Sequence, residues 1–191
     1  KLYYRSITIE QNMAQLQRQN IEIQMQYLKY QINPHFLMNT LNNIHAMIDF
    51  DSEMARKSVM DLSRMMRHVL YDSSGSSTTL DKEVEFLHNY IELMRIRYTD
   101  DVEITINTPN INTCRKVTMP PLLLIVLVEN AFKHGISYRK HSYISINIAV
   151  DNGSLTCVVA NSRHASQTTE HSGIGLNNIT KRLDLIFGNK Y

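Results

Sequence analysis

The repeat of apolar residues changes near residue 100, and this change limits the folds open to the chain. Up to about residue 98, apolar residues recur at spacings of three and four, which is typical of amphipathic helices. Beyond that point Val102, Ile104 and Ile106 alternate with polar residues, as in a half-buried strand. Helices followed by a segment of strands and helices predict an α+β fold built from two units.

The first half contains three predicted helices. The stretch 8–48 has no glycine, and its apolar seam fits a coiled coil or an ordinary amphipathic helix equally well. A second helix, 52–71, would begin with Ser52 as its cap and form an antiparallel hairpin with the first. Serine and threonine dominate 72–79, which predicts a flexible joint before a third helix at 80–98. The apolar positions of the second helix are Met54, Val59, Leu62, Met66, Val69 and Leu70.

The second half alternates between strands and helices. Pro120 and Pro121 can open an apolar helix, because proline is tolerated in a first helical turn. Asp151-Asn152-Gly153 predicts a tight turn between two strands. The predicted elements are a strand at 102–106, a helix at 120–133, strands at 143–150 and 155–159, a polar loop at 163–172 and a helix at 175–187.

Composition excludes several classes of protein. Twenty basic residues against eighteen acidic ones leave a net charge of +2, so no direct nucleic-acid partner is expected. Cys114 and Cys157 cannot form a disulfide framework, and a reduced intracellular compartment is expected. The longest apolar run, 122–128, is far shorter than the roughly 20 residues that cross a bilayer. Because the chain begins at Lys1, a membrane segment upstream of it is compatible with the sequence.

The segment Gln-Ile-Asn-Pro-His-Phe-Leu-Met-Asn-Thr-Leu-Asn at 31–42 carries the first candidate site. Pro34 should bend the predicted helix, since a proline inside a helix costs about 3 kcal/mol relative to alanine. His35 follows it, and a neutral imidazole is a good nucleophile toward phosphorus. Asn39 lies one turn later and could orient the ring. Taken alone, His35 is better explained as a half-buried helix residue that bonds to a backbone partner. His45, His68 and His88 are interpreted as solvated or packed helix residues.

A second candidate site lies in the α/β half. Asn130, Lys133 and His134 share one helix face, where an amide oxygen suits Mg²⁺ and the basic groups suit phosphate. Gly173-Ile174-Gly175 opens a helix and would let backbone amides approach phosphates. Each piece is a weak signal alone, whereas their order, with a strand pair and a polar loop between them, is much more specific.

Together these segments resemble the sensor histidine kinases of the LytS/YehU type, and the resemblance spans roughly residues 28–188. The motif around His35 is highly specific for this family. The segments that carry the resemblance are 31–42, 95–98, 120–122, 128–135, 173–178 and 181–183.

The resemblance implies an architecture for the whole chain. A long helical-hairpin dimerisation and phosphoacceptor unit would precede an ATP-binding α/β sandwich of the GHKL (Bergerat) type. Family members continue with further strands, so the chain is expected to stop before the last strands of that sandwich. The implied segments are a signalling helix at 1–27, the hairpin at 28–72, a linker and connecting helix at 73–100, and the ATP-binding domain at 101–191.

The resemblance also implies roles for individual residues. In many histidine kinases an aspartate before the lid recognises the adenine amino group; here Asn161 stands at that position and can accept the same hydrogen bond without charge. Asn39 or solvent would handle the imidazole proton. The other implied roles are His35 as phosphoacceptor, Asn130 as Mg²⁺ ligand, Lys133 and His134 near the phosphates, and Gly173 and Gly175 as glycines of the second G box.

The implied function is ATP-dependent autophosphorylation on His35, followed by phosphotransfer to an aspartate of a response regulator. That regulator would be of the LytTR type. The protein would act as a homodimer and as the cytoplasmic part of an inner- or plasma-membrane protein, anchored by segments upstream. An ATP hydrolase is disfavoured because Val126 stands where such enzymes place a catalytic glutamate. A non-catalytic, degenerate kinase that serves as a dimerisation and partner-binding module is the main alternative, suggested by Asn161 and the short C-terminus.

Overall fold

The computed structural model describes residues 34–72, 75, 77–98, 102–137, 140–164 and 174–188. By compactness the chain divides into two units, Lys1–Asn42 and Asn43–Tyr191. The predicted helix before Pro34, its bend at that proline and most of the predicted polar loop lie outside the described residues. The four segments implied by the resemblance remain predictions.

The predicted α+β class is confirmed, while its assignment as a hairpin followed by a GHKL sandwich remains a prediction. Sequence analysis did not predict α4 or the short strands β1 and β3. Among the described residues, none of the helices combines the length and apolar character that a membrane span requires. The elements are α1 (Pro34–Met47), α2 (Ser52–Leu70), β1 (Thr78–Thr79), α3 (Leu80–Arg95), β2 (Val102–Asn107), α4 (Ile111–Cys114), β3 (Thr118–Met119), α5 (Leu124–Gly135), β4 (Ser142–Asp151), β5 (Ser154–Asn161) and α6 (Ile174–Phe187).

The N-cap of helix α2 lies one residue earlier than predicted. Asp51, rather than Ser52, is the N-cap, and its side chain accepts a hydrogen bond from the backbone N–H of Met54 at 2.9 Å. Helix α2 packs against α3 along a buried face. Three of the predicted apolar positions are exposed instead, namely Met54, Val59 and Leu70. The residues of α2 that are buried are Ala55, Ser58, Asp61, Leu62, Met65, His68 and Val69.

Helix α3 lies at the centre of the unit Asn43–Tyr191, where it contacts α2 and α5. Its residues Leu80, Leu87 and Ile91 are almost completely buried. Strand β1 pairs antiparallel with β3, and the N–H of Leu80 donates to the carbonyl of Val117 at 2.9 Å. The predicted joint at 72–79 is therefore shorter than expected, because its last two residues belong to a strand.

The larger sheet has the strand order β2-β4-β5 within the described residues. Strand β2 is parallel to β4, and β4 is antiparallel to β5. The predicted hairpin turn is confirmed: Asn152 and Gly153 have φ angles of 48° and 80°, as a type I′ turn requires. Glycine at the second of these positions adopts positive φ without strain.

One face of this sheet is covered by α5, which contacts both β4 and β5. Ile144, Ile146 and Ile148 of β4 are buried, whereas Tyr143 and Asn147, which alternate with them, are exposed. This alternation is expected of a sheet that has one covered face. The packing fixes α5 across the sheet and brings its C-terminal end close to the end of β5.

Candidate functional site

Helix α5 carries three of the candidate residues near its C-terminal end. Asn130 and His134 are half-buried and Lys133 is exposed. The spacings of three and four bring these side chains to one side of the helix. Val128 and Ala131 are almost completely buried and anchor α5. The anchored helix therefore presents an amide and two basic groups together.

Asn161, at the end of β5, lies against the last residue of α5. A Cβ placed on Gly135 would lie 2.6 Å from Cβ of Asn161 and 2.9 Å from its Nδ2, so only glycine fits without movement. Nδ2 of Asn161 donates to the carbonyl of Ser162 at 2.8 Å. The amide oxygen of Asn161, Oδ1, is then the atom that can accept a hydrogen bond. This contact joins the candidate adenine-binding residue to the helix that carries the other candidates.

Burial shapes the electrostatics on the neighbouring side of α5. Desolvation raises the pKa of Glu129 from 4.5 to about 7. Burial, and next the nearby Glu129 carboxylate, raise the pKa of Tyr90 well above 10.0. The Tyr90 ring meets Phe132 edge-on, with centroids 5.7 Å apart, and Tyr98 stacks on Phe132 at 6.2 Å. These aromatic contacts hold α5 to α3 and to the residues that follow α3.

The glycine-containing segment is described in part. Helix α6 begins at Ile174, so Gly175 lies in its first turn, and α6 packs against α5. Gly173 lies outside the described residues.

The donor set fits a magnesium–nucleotide complex better than a metal held by protein alone. Among the described residues, no three histidine, cysteine or acidic side chains form a group that could hold a metal ion. Mg²⁺ usually keeps several waters and takes one or two protein oxygens together with substrate phosphates. One amide oxygen, from Asn130, beside two basic groups is compatible with that chemistry.

The candidate phosphoacceptor belongs to the other unit, Lys1–Asn42. His35 is exposed in the first turn of α1, and Nδ2 of Asn39 lies 3.2 Å from its Nδ1 and 3.3 Å from its Nε2. A neutral imidazole has one acceptor nitrogen, and the tautomer decides which of the two it is. Asn39 therefore contacts the ring in this structure without selecting one nitrogen.

Sequence analysis missed a buried polar cluster formed by Glu83, His68 and Leu122. Oε1 of Glu83 accepts from the N–H of Leu122 at 2.9 Å and lies 3.2 Å from Nε2 of His68. Leu122 has a φ of 55°, a left-handed conformation that costs about 1–2 kcal/mol for a residue with a side chain. The available signal was the position of Glu83 on the apolar stripe of α3 that contains Leu80 and Leu87.

Comparisons with known proteins agree on one family. The family model for histidine kinases matches residues 23–102. The sensor protein LytS of Staphylococcus haemolyticus is 30% identical over 200 aligned positions, which cover 97% of this chain and 34% of that protein.

Two further relatives give the same result. The sensor protein LytS of Oceanobacillus iheyensis is 33% identical over 183 positions, covering 87% of this chain and 31% of that protein. The sensor histidine kinase/phosphatase LytS of Staphylococcus aureus is 30% identical over 182 positions, with coverages of 87% and 31%. The chain spans about a third of the length of these relatives.

Proposed function

Because this chain belongs to the LytS-type sensor histidine kinase family, we propose that it is the core of a two-component sensor that phosphorylates its own His35 with ATP. The family assignment supports a kinase, and thus a phosphotransferase, in two-component signal transduction. The observation that carries the choice of residue is the exposed His35 ring within the family's histidine motif, in contact with the Asn39 amide.

The nucleotide would bind on the face of α5. Asn130 would offer its amide oxygen to Mg²⁺, which would screen the charge of the triphosphate. Lys133 and His134 would contact phosphate oxygens. Asn161 would accept a hydrogen bond from the adenine amino group through Oδ1, since its Nδ2 donates to Ser162. Backbone amides near Gly173 and Gly175 would complete the phosphate site at the start of α6.

In the proposed reaction an unprotonated ring nitrogen of His35 attacks the γ-phosphorus of ATP in line with the leaving oxygen. An N–P bond forms, the bond between the γ-phosphorus and the bridging oxygen breaks, and ADP leaves. The ring proton passes to a water molecule that Asn39 holds in place, or directly to bulk water. Phosphoryl transfer depends mainly on positioning and charge stabilisation, so a larger set of acid–base residues is not required. The product is a phosphoramidate.

The phosphoryl group would then pass to an aspartate of a cognate response regulator, proposed to be of the LytTR type. We propose a homodimer as the active form and a membrane location through segments upstream of this chain. The family assignment supports a regulator partner and dimerisation in general terms.

The test is incubation of the full-length protein with Mg²⁺ and γ-labelled ATP. Incorporation of label that is labile in acid and stable in alkali is expected, and His35→Gln should abolish it while nucleotide binding persists. The matched control is His45→Gln, because His45 is also exposed on α1. Residual label in His35→Gln would disprove the site.

The alternative of a non-catalytic module rests on Asn161, which lacks the charge of the aspartate that many histidine kinases use. It predicts that the full-length protein fails to bind a labelled ATP analogue. Rapid phosphate release from ATP without phosphoprotein would instead indicate a hydrolase.

A further inference from the structure

The buried polar cluster connects two helices and the turn before α5. Glu83 on α3 is 0% exposed, and His68 on α2 is 6% exposed. Phe86 stacks on the His68 ring, with centroids 4.8 Å apart, so the imidazole is held in place from a second side. A carboxylate is rarely this deeply buried, and such a group is costly unless its oxygens accept hydrogen bonds. In the part of the chain that the structure describes, both contacts are made by Oε1, and Oε2 has no hydrogen-bond partner.

The carboxylate also bonds to the turn that precedes α5. The backbone of Leu122 is left-handed, and its side chain is 2% exposed. Its N–H is buried and donates to Oε1 of Glu83. Without Glu83 this buried donor would lose its acceptor, and an unpaired buried N–H group costs about 1–3 kcal/mol. Loss of this hydrogen bond is therefore expected to destabilise the left-handed conformation at Leu122.

This turn lies directly before the start of α5. Helix α5 starts at Leu124, and Leu123, at the N-cap position, supplies no side-chain hydrogen bond to it. The first turn of a helix has unpaired N–H groups and a partial positive charge, which usually attract a polar cap residue. Here the Glu83 carboxylate, from α3, accepts a hydrogen bond from Leu122, the residue just before the N-cap, rather than from an N–H group of the first turn itself.

We propose that Glu83 is a positioning residue for the nucleotide site, and that His68 makes this positioning dependent on α2. Holding Leu122 fixes the start of α5 and thereby the location of Asn130 on the same rigid helix. Because His68 contacts the same carboxylate oxygen, a displacement of α2 loosens the turn and weakens nucleotide binding. The inference rests on the proposed function, since it concerns the site on α5.

The test uses the full-length protein and two readouts: amide hydrogen exchange at Leu122 and the Kd of a fluorescent ATP analogue with Mg²⁺. Glu83→Leu should accelerate exchange at Leu122 about 10- to 100-fold and raise the Kd about tenfold. Glu83→Gln should keep both the slow exchange at Leu122 and the Kd close to wild type, because the glutamine amide oxygen can still accept from Leu122. Glu85→Gln, on the exposed side of α3, should change neither.

A second control separates positioning from general destabilisation. Leu87→Ala creates a cavity in α3 at a fully buried position that does not bond to the turn. It should lower the melting temperature while leaving the Kd within about twofold of wild type. An equal rise in Kd in Leu87→Ala would overturn the inference.

His68→Phe tests the link to α2, because it keeps the stack on Phe86 and removes the ring nitrogens. It should raise the Kd several-fold in the wild-type background and add nothing in Glu83→Leu. If Glu83→Leu does not fold, His68→Phe decides alone: a raised Kd supports the inference, and unchanged Kd and Leu122 exchange overturn it. If Glu83→Leu folds and keeps the wild-type Kd, the positioning role is overturned while the proposed function is not affected. Wild-type protein that binds no ATP analogue overturns the proposed function, and this inference with it.

Discussion

Replacing Gly135 with alanine should disturb the proposed nucleotide site through its contact with Asn161. The new Cβ would lie 2.6 Å from Cβ of Asn161, 2.9 Å from Nδ2 and 3.0 Å from Cγ. Carbon atoms in contact are normally about 3.5–4.0 Å apart, so Asn161 must move by about 1 Å. The nearest atom is attached to the backbone of β5, and the side chain therefore cannot simply rotate away.

The energetic cost follows from two opposing effects. Overpacking of this kind costs about 1–3 kcal/mol, whereas replacing glycine with alanine inside a helix gains up to about 1 kcal/mol. The gain is smaller here because Gly135 is the last residue of α5. The net loss of about 1–2 kcal/mol should be measurable by urea unfolding. Loss of the one hydrogen bond that Asn161 is proposed to accept from adenine should also weaken binding of an ATP analogue about 3- to 10-fold.

Gly153→Ala is the matched control. This substitution is destabilising because the residue at 153 has a φ of 80°, which side chains disfavour. A Cβ there would have no atom within 4 Å and so would not touch Asn161. This variant should lose about 1 kcal/mol of stability and retain the wild-type Kd. A Gly135→Ala protein that is more stable than wild type and binds nucleotide equally well would refute the argument from the close approach.

Three further predictions concern stability. Leu87→Ala, at a fully buried position, should lower the free energy of unfolding by about 2–5 kcal/mol. Leu176→Ala, at an exposed position, should change it by less than about 0.5 kcal/mol, and equal losses would contradict the burial of Leu87. Asp51→Ala should cost about 1 kcal/mol in urea unfolding and Ser52→Ala much less, and the reverse order would identify Ser52 as the cap. Burial raises the pKa of Glu129 from 4.5 to about 7, so the folded protein binds this proton more tightly than the unfolded chain does. The free energy of unfolding should therefore fall by at most about 3 kcal/mol as pH rises from below 4.5 through 7. Glu129→Gln should abolish this fall.

Much of the fold could be predicted because its elements are strongly periodic. The alternation in β2 and β4 and the Asn152-Gly153 turn depend on local chemistry, and these predictions hold in the structure. Strands β1 and β3 have two residues each, too few to give a pattern. The face of α2 that is buried depends on the position of α3, which spacing within α2 does not contain. That is why Val59 and Leu70 are exposed although they belong to the apolar pattern.

The candidate site divides in the same way. Grouping Asn130 with Lys133 and His134 follows from helical spacing, and the contact between His35 and Asn39 follows from a separation of four residues. The approach of Gly135 to Asn161 joins elements distant in sequence, so only the folded structure reveals it. The burial of Glu83 was missed because acidic residues are usually exposed, and its partners come from two other segments.

The parallel pairing of β2 with β4 has a consequence for how the chain folds. Paired residues such as Asn107 and Asn147 are 40 positions apart, and α5 lies within the intervening segment. Closing so long a loop is entropically unfavourable and tends to slow folding. Formation and docking of α5 before β2 pairs with β4 would shorten this loop and lower its entropic cost. The helix proposed to bind nucleotide would thus also be an early element of the folding pathway, and substitutions in its buried face should slow refolding more than they accelerate unfolding.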